Sequence, residues 1–364
     1  MKRTIFLPVF CIVLFSFSQS TFSQDSNHWW QDGSPSNPVE NVHAKSLPLI
    51  SVKGNKFVNP AGETVLFRGL SISDPDKIEA QGHWNKHHFE KVKEMGTMLV
   101  RIPVHPVAWR GRTPEKYLKL LDQAVEWCTE LGMYVIIDWH SIGNLDMELF
   151  QDPMYNTSKQ ETYQFWRTIS QHFTGNNTVA FYELFNEPTS YRGQLGTVSW
   201  LEWKKINENM ISLIRSYDTE TIPLVAGFDW AYDLTPLREN PINAEGIGYV
   251  THPYSNKRNR QWEPKWEEDF GFAADNYPII ATEFGFELKD GETISKDHYG
   301  NRIVGYLEGR GISWMCWCFD PEWGPCLLKS YDNYELTGTG EFIKKALHGE
   351  LEGQNKEQEV RSKR

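Results

Sequence analysis

The chain has 364 residues, 40% of them hydrophobic, enough for one large domain or two small ones with a real core. Its formal charge of −11 argues against a polyanionic partner, so no nucleic acid is expected; basic residues cluster only in "KRNR" (257–260) and at the C-terminus. Tryptophan is abundant, at 15 residues, and an indole face is used either in packing or in stacking on a flat ligand such as a sugar ring.

In chain order, residues 1–23 read as a secretory signal. Lys2 and Arg3 form a basic start, and 5–17 form an apolar run of signal length, short for a membrane span. No later segment is apolar enough to span, so a secreted or periplasmic protein without stable membrane insertion is expected. Residues 24–45 are polar and read as a linker. The stretch "ISVKGNKFVNPAGETV" (50–65) turns at Gly54-Asn55 and at Pro60-Ala61-Gly62, which predicts a small β-hairpin. The main domain is placed at 46–349, and the polar end, 350–364, reads as a disordered tail.

Eight apolar strand runs follow the hairpin: 64–73, 98–104, 134–140, 180–187, 222–229, 247–254, 278–286 and 313–320. Helical patterns separate them. The clearest are 113–132, with Leu118, Leu121, Val125 and Cys128 at helical spacing and Gly132 as a cap, and 198–218. The helical signal is weakest after strands five and six. Strand–helix alternation implies parallel βαβ units, and eight of them predict an α/β fold, a (β/α)8 TIM barrel behind the short N-terminal β-hairpin. A doubly wound open sheet is the competing architecture; "FRGLSISD" after the first strand lacks the glycine pattern of a phosphate loop.

Cys128, Cys316, Cys318 and Cys326 show no zinc spacing. They read as buried free thiols, with a disulfide to Cys326 the alternative.

A TIM barrel places its active site at the C-terminal ends of its strands. Polar and aromatic residues gather there in this sequence: Ser73-Asp74, 103–105, His140, Asn186-Glu187, Asp229-Trp230, His252, Tyr254, Glu283 and 317–320. Glu187 ends strand four and Glu283 lies near the end of strand seven, so the two can converge across the barrel mouth. Paired carboxylates are what glycoside hydrolysis requires. Glu183 precedes Glu187 by four residues on the same face. At about 3.3 Å per residue it is expected well below the mouth, as a buried ion-pair partner of Arg68. Strand ends carry no lysine for a Schiff base and no clustered metal ligands, so no cofactor is expected.

At "ELFNEP", followed three strands later by "ATEFG", the chain resembles glycoside hydrolase family 5, the family of many cellulases and β-mannanases. The resemblance covers about residues 60 to 345. It assigns Arg101 in "VRIPV", His140 in "IDWHS", the pair Asn186 and Glu187, His252 and Tyr254 in "THPY", Glu283, and Trp317. It implies a retaining double displacement, with Glu187 as general acid and base and Glu283 as nucleophile. Arg101 would hold Glu283 ionised, and the facing charge would raise Glu187. Asn186 would bind the sugar 2-hydroxyl, Tyr254 would donate to Glu283, and His252 would orient Glu187. His140 would bind a hydroxyl, and Trp317 would floor the site. Trp109, Trp230, Trp262 and Trp323 are candidate platforms for further sugars. The implied activity is a secreted endo-β-1,4-glucanase acting as a monomer on a β-linked polysaccharide or oligosaccharide. A β-mannanase, another β-glucan hydrolase of the family, or an inactive carbohydrate-binding protein are the alternatives.

Overall fold

The structure is a computed structural model that describes residues 46–292 and 294–351; the predicted signal (1–23), the linker (24–45) and nearly all of the predicted tail (350–364) lie outside them. Eight parallel strands close into a barrel. They are β1 (Arg68–Ile72), β2 (Leu99–Val104), β3 (Tyr134–Trp139), β4 (Val179–Glu183), β5 (Ile222–Ala226), β6 (Gly248–Thr251), β7 (Ile279–Ala281) and β8 (Ser313–Phe319). Each pairs with its sequence neighbour, and β8 pairs with β1 to close the ring. This is the predicted (β/α)8 architecture.

The helices form where the sequence period requires them. Pro114–Leu131 buries Leu118, Leu121, Val125 and Cys128 on one face. Gly132, at φ 68°, ends it in the left-handed conformation that favours glycine. Trp200–Arg215 starts with a reciprocal cap between Ser199 and Glu202. The connection after β5 holds only single turns, at Phe228–Ala231 and Thr235–Arg238, so the fifth unit lacks a full helix. Trp262–Asp269 follows β6. Among the described residues no helix is long and apolar enough to cross a membrane.

Several strands stop short of the apolar runs that announced them. The run 180–187 leaves the barrel ladder after Glu183, and 278–286 pairs only over Ile279–Ala281. Beyond Glu183 the chain bends. Glu187–Pro188 then pairs with Ile142–Gly143 in a small separate sheet.

The predicted hairpin is present, Ser51–Lys53 against Lys56–Val58. Phe57 packs edge-on against Phe181 (5.0 Å between centroids) and Phe67, the residue that enters β1. Ile50, Leu99, Ile136, Leu224, Ile280 and Met315 complete this cluster. The hairpin therefore covers the N-terminal end of the barrel, opposite the strand ends that carry the polar residues. Phe57→Ala should cost about 3 kcal/mol or more, the usual result of truncating a buried aromatic. Thermal melting should show the loss, while the folded variant keeps its activity at low temperature.

Candidate active site

Arg101 on β2 is fully buried inside the barrel. Its Nε and Nη2 donate to the two oxygens of Glu183, at 2.7 and 3.0 Å. Nη1 donates to Glu283 Oε1 at 2.8 Å, and Nη2 also reaches Asn186 Oδ1 at 2.6 Å and Asp138 Oδ2 at 2.9 Å. One guanidinium thus serves carboxylates from β3, β4 and the end of β7. Burial disfavours its charge, but Asp138, Glu183 and Glu283 reverse that and hold it firmly protonated.

Two expectations for Glu183 are corrected here. Its cation is Arg101; Arg68 instead pairs with Glu308 at 2.8 Å. Ser71, three residues after Arg68, lies beside Arg101 inside the barrel. An odd spacing along a strand puts Arg68 on the outer face, where the helix Tyr299–Arg310 supplies Glu308. Nor does Glu183 sit in a separate layer far below Glu187. The bend after Glu183 replaces the extended rise, and the two glutamates approach opposite nitrogens of the His252 ring, at 3.5 and 2.9 Å. Burial opposes ionisation of Glu183, yet Arg101 and a hydrogen bond from His252 bring its pKa down to about 2.

His252 Nδ1 meets Glu187 Oε1 at 2.9 Å, and Nε2 meets Thr282 Oγ1, also at 2.9 Å. Burial works against the imidazolium, but Glu283, Glu183 and Glu187 outweigh it and lift the pKa to about 9. Glu283 accepts from Tyr254 Oη at 2.8 Å on its second oxygen. Burial raises Glu283 above the ordinary range, and the charge of Glu187 adds to this. His252, Arg101 and the Tyr254 hydroxyl pull it back without cancelling it. The Arg101 contact expected from the sequence is present, but burial dominates the balance. One oxygen of Glu187, one of Glu283 and a nitrogen of His252 lie within 4.8 Å of one another. Such a trio has the geometry to hold a cation. Its atoms already exchange hydrogen bonds with Arg101, Tyr254 and each other.

His140 Nδ1 bonds Asp138 Oδ2 at 2.7 Å. Burial, with His105, Arg101 and His252 nearby, pushes the His140 pKa well down, so the ring is neutral. It lies parallel to Trp317, 3° apart with centroids at 5.3 Å, and Trp317 is parallel to Trp323 at 6.2 Å. His105, held by Asp74 at 2.9 Å, stands 4.6 Å from the His140 ring and stacks on Tyr155.

The eight residues that the resemblance assigned, Arg101, His140, Asn186, Glu187, His252, Tyr254, Glu283 and Trp317, therefore lie together at one end of the barrel. Three that join them were not singled out. Asp138 carried a signal, because it precedes His140 by two residues and so shares its face. Thr282 carried none: the neighbour of an inward Glu283 should point outward, and it turns in only because β7 has already ended at Ala281. Tyr155 comes from a loop with no pattern to mark it.

The four extra tryptophans divide. Trp109 is buried edge-on against Phe165 at 4.9 Å and is core, not platform. Trp262 stacks on Trp266 at 6.0 Å. Trp323 adjoins Trp317. Trp230 lines a cavity of about 870 Å³ that opens beside Glu187 and Tyr254, with Tyr191, Lys257 and Gln151 around it. Its indole nitrogen donates to Gln151 at 2.8 Å, and Lys257 Nζ sits 4.5 Å from its ring centre. Asp229, Trp230 and Ala231 all have φ between 56° and 58°, a left-handed run whose Asp229 accepts from Lys257 and Arg258. The four cysteines of the described residues are free thiols; Cys128, Cys316 and Cys318 are buried.

A family model described as Cellulase (glycosyl hydrolase family 5) matches residues 58–322. Endoglucanase E-5 of Thermobifida fusca is 26% identical over 250 residues, 64% of this chain and 49% of that protein. Endoglucanase A of Butyrivibrio fibrisolvens is 25% identical over 70% of this chain and 57% of its own length. The chain thus spans between somewhat over a third and two thirds of the length of these curated relatives and others it matches. Among solved structures, the β-glucanase SdGluc5_26A of Saccharophagus degradans is 44% identical, with a TM-score of 0.80, over 84% of this chain and 94% of that one. The same β-glucanase is also known in complex with cellotetraose. With nearly three quarters of its length under the family model and a barrel whose strand ends gather these residues, the chain belongs to glycosyl hydrolase family 5, the cellulase family.

Proposed function

We propose that the protein is a secreted, retaining endo-β-1,4-glucanase. The observation that carries this reading is the pair Glu187 and Glu283, which bring one oxygen each within 4.8 Å of the other in two different environments. Retaining hydrolysis needs carboxyl groups about 5 Å apart, whereas inversion needs room for a water between them. Glu283 is gripped on both oxygens, by Arg101 and by Tyr254, which suits a nucleophile held in one orientation. Glu187 is held on one oxygen only, and the other faces no protein donor among the described residues, which suits an acid that must reach a leaving group.

In the first step Glu283 attacks the anomeric carbon. The glycosidic C–O bond breaks, its electron pair goes to the leaving oxygen, and that oxygen takes the proton of Glu187. In the second step Glu187 removes a proton from water as the water displaces Glu283, releasing the sugar with its original configuration. Asn186 Nδ2 is buried without a protein partner among the described residues, and a sugar 2-hydroxyl would satisfy it. The parallel rings of His140, Trp317 and Trp323 would line the glycone side. The cavity at Trp230, beside Glu187, would take the leaving-group sugars. The β-1,4-glucan substrate is supported by the endoglucanase relatives and by the cellotetraose complex of the S. degradans enzyme. Export rests on the basic-then-apolar N-terminus.

Glu283→Ala should abolish turnover of an aryl β-cellobioside, and added azide should restore it with an α-glycosyl azide as product. Full activity in that variant would refute the nucleophile. On cellotetraose, NMR should detect the β-anomer as the first product released; an α-anomer would mean inversion. Tyr254→Phe removes a hydrogen bond that lowers the Glu283 pKa, so that pKa should rise further. Because the nucleophile must be ionised, the acid limb of the kcat/KM profile should then move to higher pH. An unmoved limb would disconnect Tyr254 from Glu283.

A further inference from the structure

The reading of Glu187 as an acid leaves open what fixes the imidazole behind it. Hydrogen-bond direction answers this. Glu183 is ionised, so its oxygens only accept. Thr282 Oγ1 lies 3.1 Å from Glu183 Oε1 and has one proton, which therefore points at Glu183. The Thr282 oxygen is left as an acceptor, and the atom facing it at 2.9 Å is His252 Nε2. Nε2 must then carry a hydrogen. Glu183 Oε1, 3.5 Å from Nε2, favours the same arrangement. The remaining ring nitrogen, Nδ1, faces Glu187 Oε1 at 2.9 Å.

Resting on the proposed role of Glu187, we propose that Thr282 and Glu183 are positioning residues for its proton transfer: by keeping Nε2 of His252 protonated, they reserve Nδ1 for Glu187. The 2.9 Å contact between Nδ1 and Oε1 then holds the Nδ1 hydrogen of the imidazolium, while the proton that Glu187 donates sits on its other oxygen. When Glu187 gives a proton to the leaving oxygen, the carboxylate left behind faces an N–H donor and not a lone pair. The same donor steadies Glu187 as it waits to take a proton from water in the second step. The groups around this imidazole are Glu183 and Glu187 from the β4 side, Glu283 and Thr282 after β7, Arg101 on β2, and Asp138 and His140 on and after β3. Arg101 and Glu183 thus serve both glutamates: Arg101 touches Glu283 directly, and Glu183 reaches Glu187 through Thr282 and His252.

The test compares leaving groups. Cellotetraose needs proton assistance at its leaving oxygen, whereas 2,4-dinitrophenyl β-cellobioside needs almost none. Thr282→Val keeps the shape and removes the hydroxyl. Its kcat/KM should fall about tenfold or more on cellotetraose and no more than about twofold on the dinitrophenyl substrate, as loss of acid assistance implies. Thr282→Ser should restore most of the cellotetraose rate. Should Thr282→Val fold poorly by thermal melting, Thr282→Ala removes the same hydroxyl without a methyl against the imidazole. Equal losses on the two substrates, or no loss on either, would overturn the proposal. Glu187→Ala is measured on the same pair of substrates. If it reduces both equally, the acid assignment itself fails, and that result is distinct from an insensitive Thr282.

Discussion

Everything at the mouth of this barrel is organised around one buried positive charge. Arg101 has no access to solvent, and a guanidinium without water is tolerable only if its donors are filled. Glu183, Glu283, Asp138 and Asn186 fill them. The obligation runs in both directions. These acids could not share so small a volume as anions without Arg101 and the imidazolium of His252 between them. Removing either member of a buried pair typically costs about 3–5 kcal/mol, so the cluster is held by stability as well as by chemistry.

The same charge sorts the acids into different states. Glu183 accepts two donors from Arg101 and one from Thr282, and is driven to its ionised form. Asp138 shares Arg101 but is fully buried beside Glu183 and Glu283, and burial raises its pKa well above the carboxylate range. Glu283 lies between these extremes. Carboxylates a few ångströms apart thus differ in how readily they ionise, through burial and donor count, without any difference in side-chain chemistry.

Much of this was legible in the sequence because two periodicities are hard to disguise. Strand and helix patterns alternate clearly enough to number the barrel, and the barrel then dictates where chemistry must gather. The misreadings come from where strands stop and from which face a residue takes. A buried Glu183 needs a cation and Arg68 on the first strand offers one in the sequence, although parity with Ser71 places Arg68 outside. Glu183 was set too far from Glu187 because the apolar run continues past the residue where pairing ends. Thr282 went unnoticed because β7 ends one residue before it. An apolar run records burial, and burial continues into loops that are no longer strands. The fifth helical connection is a related case: its signal was weak because single turns replace a helix there. Trp109 is only a candidate platform in the sequence, because a tryptophan after a strand end looks the same whether it faces a sugar or Phe165.

The hairpin at the far end gives the molecule a division of labour along its axis. Phe57, Phe67 and Phe181 close the barrel floor with apolar contacts alone, and none of them touches the polar end. Apolar packing closes one pole, and the buried charges and the chemistry occupy the other. Rim segments such as 255–261, before the helix Trp262–Asp269, and the left-handed run at 229–231 can therefore diverge between lineages, trading one glycan for another, while the floor keeps the chain above its folding threshold. In such a scaffold, inheritance of the barrel and invention at its rim are nearly independent events.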